Sequence, residues 1–199
     1  MKVKETFVSY TGEIDVGRFG FFLNLAGEGV SLGVDEIARQ AIHFPRVILI
    51  GDPLVERDEL SKLVKKINKG NPDAIIEINC NGIVKPLKAG EFKNIKYNVH
   101  IQLSRTGIDK DKRMNSQAIS WYNEVGADFK FEIVDRNDVD EVNLITQEFG
   151  IKKRQVFLSP ENPIIFNEVL GYAKKCGFNF SPNARKFLWN DDGRIENGE

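Results

Sequence analysis

PRVILIGDPLVERDELSKLVKKINKGNPDAIIEINC, residues 45–80, decides the fold. Its two ends, Arg46 to Ile50 and Ala74 to Ile78, are short runs of valine, isoleucine and leucine, as strands require. Between them Leu60, Leu63, Val64 and Ile67 recur three and four residues apart, which lines one face of a helix, and Gly70 is placed to end it. Strand, helix and strand in that order make a parallel crossover unit.

The same alternation continues on both sides. Upstream, strands are predicted near Lys4 to Ser9 and Phe19 to Leu25, then a short helix with Ile37, Ala38, Ala41 and Ile42 on one face. Downstream, Val99, Ile101 and Leu103 alternate, and so do Phe129, Phe131 and Ile133; each set reads as a strand. Helical stripes follow at Ala118, Ile119, Tyr122 and Val125, and at Val139, Val142, Ile145 and Phe149, the latter ending at Gly150. A strand from Gln155 to Leu158 leads to a helix with Pro163 in its first turn and Ile165, Val169, Ala173 and Cys176 along one side, closed by Gly177. The class is α/β, with parallel strands flanked by helices. Residues 1–189 read as one domain and 190–199 as a polar tail, with no internal repeat.

Bulk chemistry excludes several roles. The 199 residues carry 28 Lys and Arg against 29 Asp and Glu, so no basic surface calls for nucleic acid or an anionic membrane. No apolar run approaches the roughly 18 residues that span a bilayer. The opening MKVKETFVSY lacks the apolar core of a secretory signal, and a cytoplasmic location is expected. Two cysteines, Cys80 and Cys176, supply neither a disulfide framework nor a structural zinc site nor a cluster ligand set, and both are expected to be buried. His43 lies at a helix end, and His100 faces away from Val99 and Ile101; neither stands at a triad spacing from a serine or cysteine. There is no phosphate-binding loop, and GRFG at 17–20 is not followed by a helix. The pairs Lys65–Lys66, Lys152–Lys153 and Lys174–Lys175 read as solvated surface.

Parallel α/β folds bind ligands where their strands end. Those positions hold Gly27 and Glu28, Gly51 and Asp52, Asn79 and Asn81, Ser104 and Arg105, Asp135, then Ser159 and Glu161. Gly27, Gly51 and Gly82 would let backbone approach a ligand closely. Glu13, Glu28, Asp52 and Glu77 are candidates to converge, for a hard cation or for acid–base work. The plain alternative stands beside this: loops after strands are polar and rich in glycine in any case.

ETFVSYTGEIDVGRFGFFLNLAG (Glu5 to Gly27) resembles the start of 7-carboxy-7-deazaguanine synthases, members of the radical-SAM superfamily, where "EIFYSIQGEG" precedes "GRPAVFVRLAGC". PRVILIGDPLVERDELSKLV is similar to the family's "VVLTGGEPLLQ", IIEINCNGIVKP to "IETNGT", HIQLSR to "SPK", FKFEIV to "LKFVV", VFLSPEN to "VYLQPE", and FNFSPNARKFLW to "RLSPQTHKLLW". The pieces run in register through nearly the whole chain. The resemblance implies an open (β/α)6-type partial TIM barrel. It also implies a CxxxCxxCD motif after Gly27, whose three thiolates would hold a [4Fe–4S] cluster that chelates SAM.

That motif is missing. The chain reads AGEGVSLGVDEIARQ there and has no cysteine between Met1 and Asn79. The acidic and hydroxyl magnesium ligands implied by the family go with it. Gly12 and Glu13 survive from "QGEG", but the family arginine is Asn24, the lysine of "SPK" falls at Thr106, the histidine of "THK" falls at Arg185 with Lys186 kept, and "GGEP" has become Ile50, Gly51, Asp52, Pro53. Asn24 cannot make the bidentate charged bonds of arginine, and Ile50 is expected to crowd the methionine end of SAM.

The candidate ligand-binding residues are therefore Gly12, Glu13, Asn24, Gly51, Asp52, Glu77, Asn81, Ser104, Arg105, Ser159, Arg185 and Lys186. The reading is a cluster-less homologue, unable to do radical-SAM chemistry, that acts as a ligand-binding, regulatory or partner protein. The alternatives are a cluster-free enzyme built on strand-end carboxylates and Arg185, or a residual role in making the deazapurine precursors of queuosine or archaeosine. No iron–sulfur cluster is expected, and SAM or magnesium binding would be residual. Expected partners are a small purine-like ligand and a protein subunit, either a second copy or another chain; nucleic acid and membrane are not expected. Trp189 and Phe187 are expected to close one end of the core or to form a dimer contact.

Overall fold

In the computed structural model, which describes residues 1–25, 27–87 and 92–184, the apolar runs form strands and the apolar stripes form helices. In chain order these are β1 (Lys2–Val3), β2 (Glu5–Tyr10), β3 (Phe19–Asn24), β4 (Val30–Ser31), α1 (Val34–Ala41), β5 (Arg46–Ile50), α2 (Arg57–Gly70), β6 (Ile75–Cys80), β7 (Ile95–His100), α3 (Lys110–Arg113), α4 (Ser116–Glu124), β8 (Asp128–Ile133), α5 (Arg136–Glu148), β9 (Val156–Pro160), α6 (Phe166–Cys176) and β10 (Asn179–Phe180). Eight strands make one sheet in the order β10-β9-β8-β7-β6-β5-β3-β2. All neighbours in it are parallel except the edge hairpin β2–β3. The two ends of the sheet approach each other. Beyond β10, Ala184 donates its N–H to the carbonyl of Gly12, beyond β2, at 2.5 Å. The sheet is thus rolled into an open barrel.

Strand side chains alternate between faces, and here the two faces differ in chemistry. Val47 and Leu49 of β5, Ile76 and Ile78 of β6, and Phe129 and Phe131 of β8 point outward into one apolar core with no measurable exposure. Leu60, Leu63, Val64 and Ile67 of α2 pack there and are fully buried. Each such side chain contributes about 1.5–3 kcal/mol on leaving water. Asp58 and Glu59 open α2 and Lys69 closes it, matching the helix dipole. Asp135 caps α5 by accepting the N–H groups of Asn137 and Asp138 at 2.7 and 3.2 Å.

Three local readings of the sequence need correction. The strand expected over Val99 to Leu103 lies earlier, at Ile95–His100, because Ile95 and Tyr97 continue the alternation of Val99. Ile101 adds one further bond to the Lys130 carbonyl at 3.2 Å, and the chain then turns at Ser104–Thr106. Gly70 is the last residue of α2 instead of its stop; a Cβ there would meet Ile42 Cγ2 at 2.7 Å, so close packing requires the glycine. The ribbon of β1 against β4 was not anticipated. It closes the segment between β3 and α1, with Leu32 N–H donating to the Met1 carbonyl at 3.0 Å.

Gly29 lies in that segment, and a Cβ on it would run into the Val3 carbonyl. Gly29→Ala is expected to lower stability by about 1–3 kcal/mol, read as an earlier urea midpoint at unchanged slope. Gly171, in α6 with open space around it, gives the opposite sign: Gly171→Ala should raise the midpoint by ~0.5–1 kcal/mol equivalent.

Candidate ligand-binding cleft

The inner face of the rolled sheet lines a cleft of about 820 Å³. Strand register stacks its polar side chains in tiers: Glu77 stands beside Lys96, Asn79 beside Asn98, and His100 beside Lys130. At the bottom Arg46 forms an ion pair with Glu77. Asp15, in a left-handed backbone conformation (φ 54°), accepts from Lys96 Nζ at 2.6 Å and Arg46 Nη1 at 3.4 Å. The β2–β3 loop is fixed there by Thr11, whose hydroxyl donates to the Asp15 carbonyl at 2.5 Å and accepts from Arg18 N–H at 3.0 Å.

One tier up, Glu13 reaches into the barrel. Lys130 is only 1% exposed, and its Nζ lies 2.8 Å from Glu13 Oε1. His100 Nε2 lies 3.2 Å from Oε2. Beside this cluster Asn98 Nδ2 donates to Asn79 Oδ1 at 2.9 Å. At the mouth Asn81 Nδ2 donates to Asp52 Oδ2 at 3.3 Å. Arg105 is held by Asp138 Oδ2 at 3.1 Å and Glu161 Oε1 at 3.4 Å. Phe22, Ile48 and Ile50 supply an apolar side, and the Phe22 ring stacks on Phe7 at 5.0 Å.

Burial raises the pKa of Glu13, but the charge and contact of His100 together with the Lys130 ammonium outweigh it and hold the carboxyl well below its ordinary range. Burial pushes Asp128, first residue of β8, up to about 6; Lys96 opposes the shift and Asp15 adds to it. Burial likewise pushes the Cys80 thiol up to about 11.

Gly51, Asp52, Asn81 and Arg105, read from the strand ends, line the cleft, and so do Gly12, Glu13 and Glu77, singled out on other grounds. Asn24 does not line it: its side chain donates across the hairpin to Glu5 Oε1 at 3.2 Å. Ser104 is likewise turned away, giving its N–H and hydroxyl to Glu141 Oε2 at 2.9 and 2.7 Å. Ser159 is wholly buried on β9 and is not part of the cleft lining. Glu28 is exposed and does not join the other carboxylates, each of which has its own partner. Arg185, Lys186, Phe187, Trp189 and the tail 190–199 lie outside the described residues. Lys130 and Asn98 were not singled out from the sequence. The signal for Lys130 was present, since it alternates with Phe129 and Phe131 and must face away from their core.

No protein-family model matches the chain. Over 95% of its length it is 27% identical to a 7-carboxy-7-deazaguanine synthase of Pyrobaculum aerophilum, covering 95% of that protein. Over 92% it is 24% identical to the 7-carboxy-7-deazaguanine synthase of Hyperthermus butylicus, covering 90% of that one. The chain is similar throughout to 7-carboxy-7-deazaguanine synthases. Among solved structures, QueE from Escherichia coli superposes with a TM-score of 0.69 at 16% identity, over 90% of this chain and 92% of QueE. SuiB of Streptococcus suis, solved with its precursor peptide SuiA, matches with a TM-score of 0.52 at 13% identity, over 77% of this chain and 43% of SuiB. The fold is therefore that of QueE, a mostly parallel sheet flanked by helices.

Lys130→Met leaves Glu13 charged and short of a partner. It should cost roughly 2–4 kcal/mol at neutral pH, toward the low end because Glu13 is partly exposed. Because the folded pKa of Glu13 is depressed, its stabilisation exists above the unfolded value and is lost as pH falls. The cost of the variant should thus shrink below about pH 4, checked by urea titration at pH 3.5 and 7. Asp128 has the opposite sign. With its folded pKa raised, the group favours the folded state most at low pH, and that contribution fades as pH rises through about 6. Asp128→Asn should therefore be more stabilising at pH 7.5 than at pH 5, measured by thermal melts at both.

Proposed function

We propose that this chain is a cluster-free relative of the 7-carboxy-7-deazaguanine synthases, one that binds a small, flat, purine-like molecule in its barrel and does not carry out radical-SAM chemistry. The observation that carries the reading is the donor set. The resemblance implies three thiolates between β3 and α1, and that segment contains no cysteine; the whole chain has two. Cys80 belongs to the outer apolar core with its thiol held protonated, and Cys176 packs against the same core from α6. An iron cluster needs thiolate or comparably strong ligands, so these residues do not fit one. In its place the segment pairs Val30 and Ser31 with Val3 and Lys2 in the β1–β4 ribbon.

The cleft itself supports binding over acid–base work. Glu13 faces Lys130 and His100, and Glu77 faces Arg46. A carboxylate held so far below neutrality is a poor proton acceptor, and carboxylates already paired with cations make a weak cage for magnesium. The remaining features suit a planar heterocycle. Phe22, Ile48 and Ile50 can cover a ring face while amides and charged groups meet its edge.

Anaerobic incubation with ferrous iron and sulfide should leave the protein colourless. With dithionite and SAM it should release no 5′-deoxyadenosine. Thermal-shift screening should give upward shifts with purines and none with SAM. A stable brown protein, or deoxyadenosine formed in proportion to enzyme, would overturn the proposal.

A further inference from the structure

The deep charged groups of the cleft are committed to one another, whereas the amides of Asn79 and Asn98 are not fully used. These residues stand side by side in the register of β6 and β7, both on the cleft side. One hydrogen bond joins them, from Asn98 Nδ2 to Asn79 Oδ1 at 2.9 Å. An asparagine amide has two donors on nitrogen and an acceptor oxygen. With that bond made, Asn79 keeps both N–H donors, Asn98 keeps one N–H and its oxygen, and no further side-chain bond joins either to the described residues. Asn98 is only 5% exposed, and the side it shows is the one lining the cleft. A pair of this kind is worth keeping where a ligand completes it.

We propose that Asn79 and Asn98 act together as a reading element for ligands whose edge carries a hydrogen-bond acceptor next to a donor, as in a lactam or an amidine. This rests on the reading that the cleft binds a flat heterocycle, and it adds which edge faces β6 and β7. The ligand acceptor takes the Asn79 N–H, and the ligand donor gives to Asn98 Oδ1. The inter-amide bond holds both groups in place before binding, so little freedom is lost on complex formation. The neighbouring Ile48, beside Glu77 in the register of β5 and β6, gives the ring an apolar surface.

Three purines separate the outcomes by calorimetry. Taken as their 9-methyl derivatives, so that no N9–H stands beside N3, hypoxanthine and adenine each present an acceptor beside a donor on the six-membered ring, and purine lacks the exocyclic group and any N–H donor. The wild-type chain should bind the first two at least about tenfold more tightly than purine, the value of one completed hydrogen bond. Asn79→Asp keeps an acceptor for Asn98 but turns the free arm from donor to acceptor. It should remove most of that preference while the thermal melt stays cooperative. Equal affinity for all three in the wild type, or a preference untouched by Asn79→Asp, would refute the reading element and leave heterocycle binding intact. Binding of none would refute both.

Discussion

Lys130 sits in the middle of a strand, almost wholly out of water, and still carries an ammonium. A lone charge there would cost several kcal/mol. The cost is offset by Glu13, which comes from the opposite side of the barrel on the β2–β3 loop. That pairing obliges the loop to dip into the barrel, and the dip brings Asp15 to Lys96 and Arg46 below. The floor of the cleft is therefore a set of ion pairs between the edge hairpin and the central strands. The shape of the cavity follows from where those charges must meet.

The same arrangement shapes what the cleft can do. Charges that neutralise each other inside a protein hold geometry well and move protons poorly. Under the proposed reading, recognition falls to groups with spare hydrogen-bonding capacity and to the apolar side of Phe22, Ile48 and Ile50. At the mouth Arg105 is restrained by Asp138, itself fixed by the Val134 N–H at 2.7 Å, so the rim is braced from α5.

Much of this was legible in the sequence because it depends on local periodicity. The stripe of α2 and the alternation of β8 fix which residues enter the core, and the strand-end rule found Gly51, Asp52 and Asn81. What was hidden depends on partners distant in the chain. Nothing near Asn24 announces that it will turn to Glu5, or that Ser104 will be held by Glu141. The β1–β4 ribbon escaped because two-residue strands carry no periodic signal. Asn98 was missed since a polar residue between Tyr97 and Val99 reads as a solvent-facing position, and only the rolling of the sheet makes that face an interior.

The pairing of Glu13 with Lys130 also ties the cavity to contacts of long sequence separation. The two lie far apart in the sequence, and most of the strands between them are joined by helical crossovers. Closing so long a loop is entropically costly until the intervening strands have aligned. The Glu13–Lys130 contact therefore depends on strands that have already aligned, and the cavity keeps its shape only while residues far apart in the chain stay together.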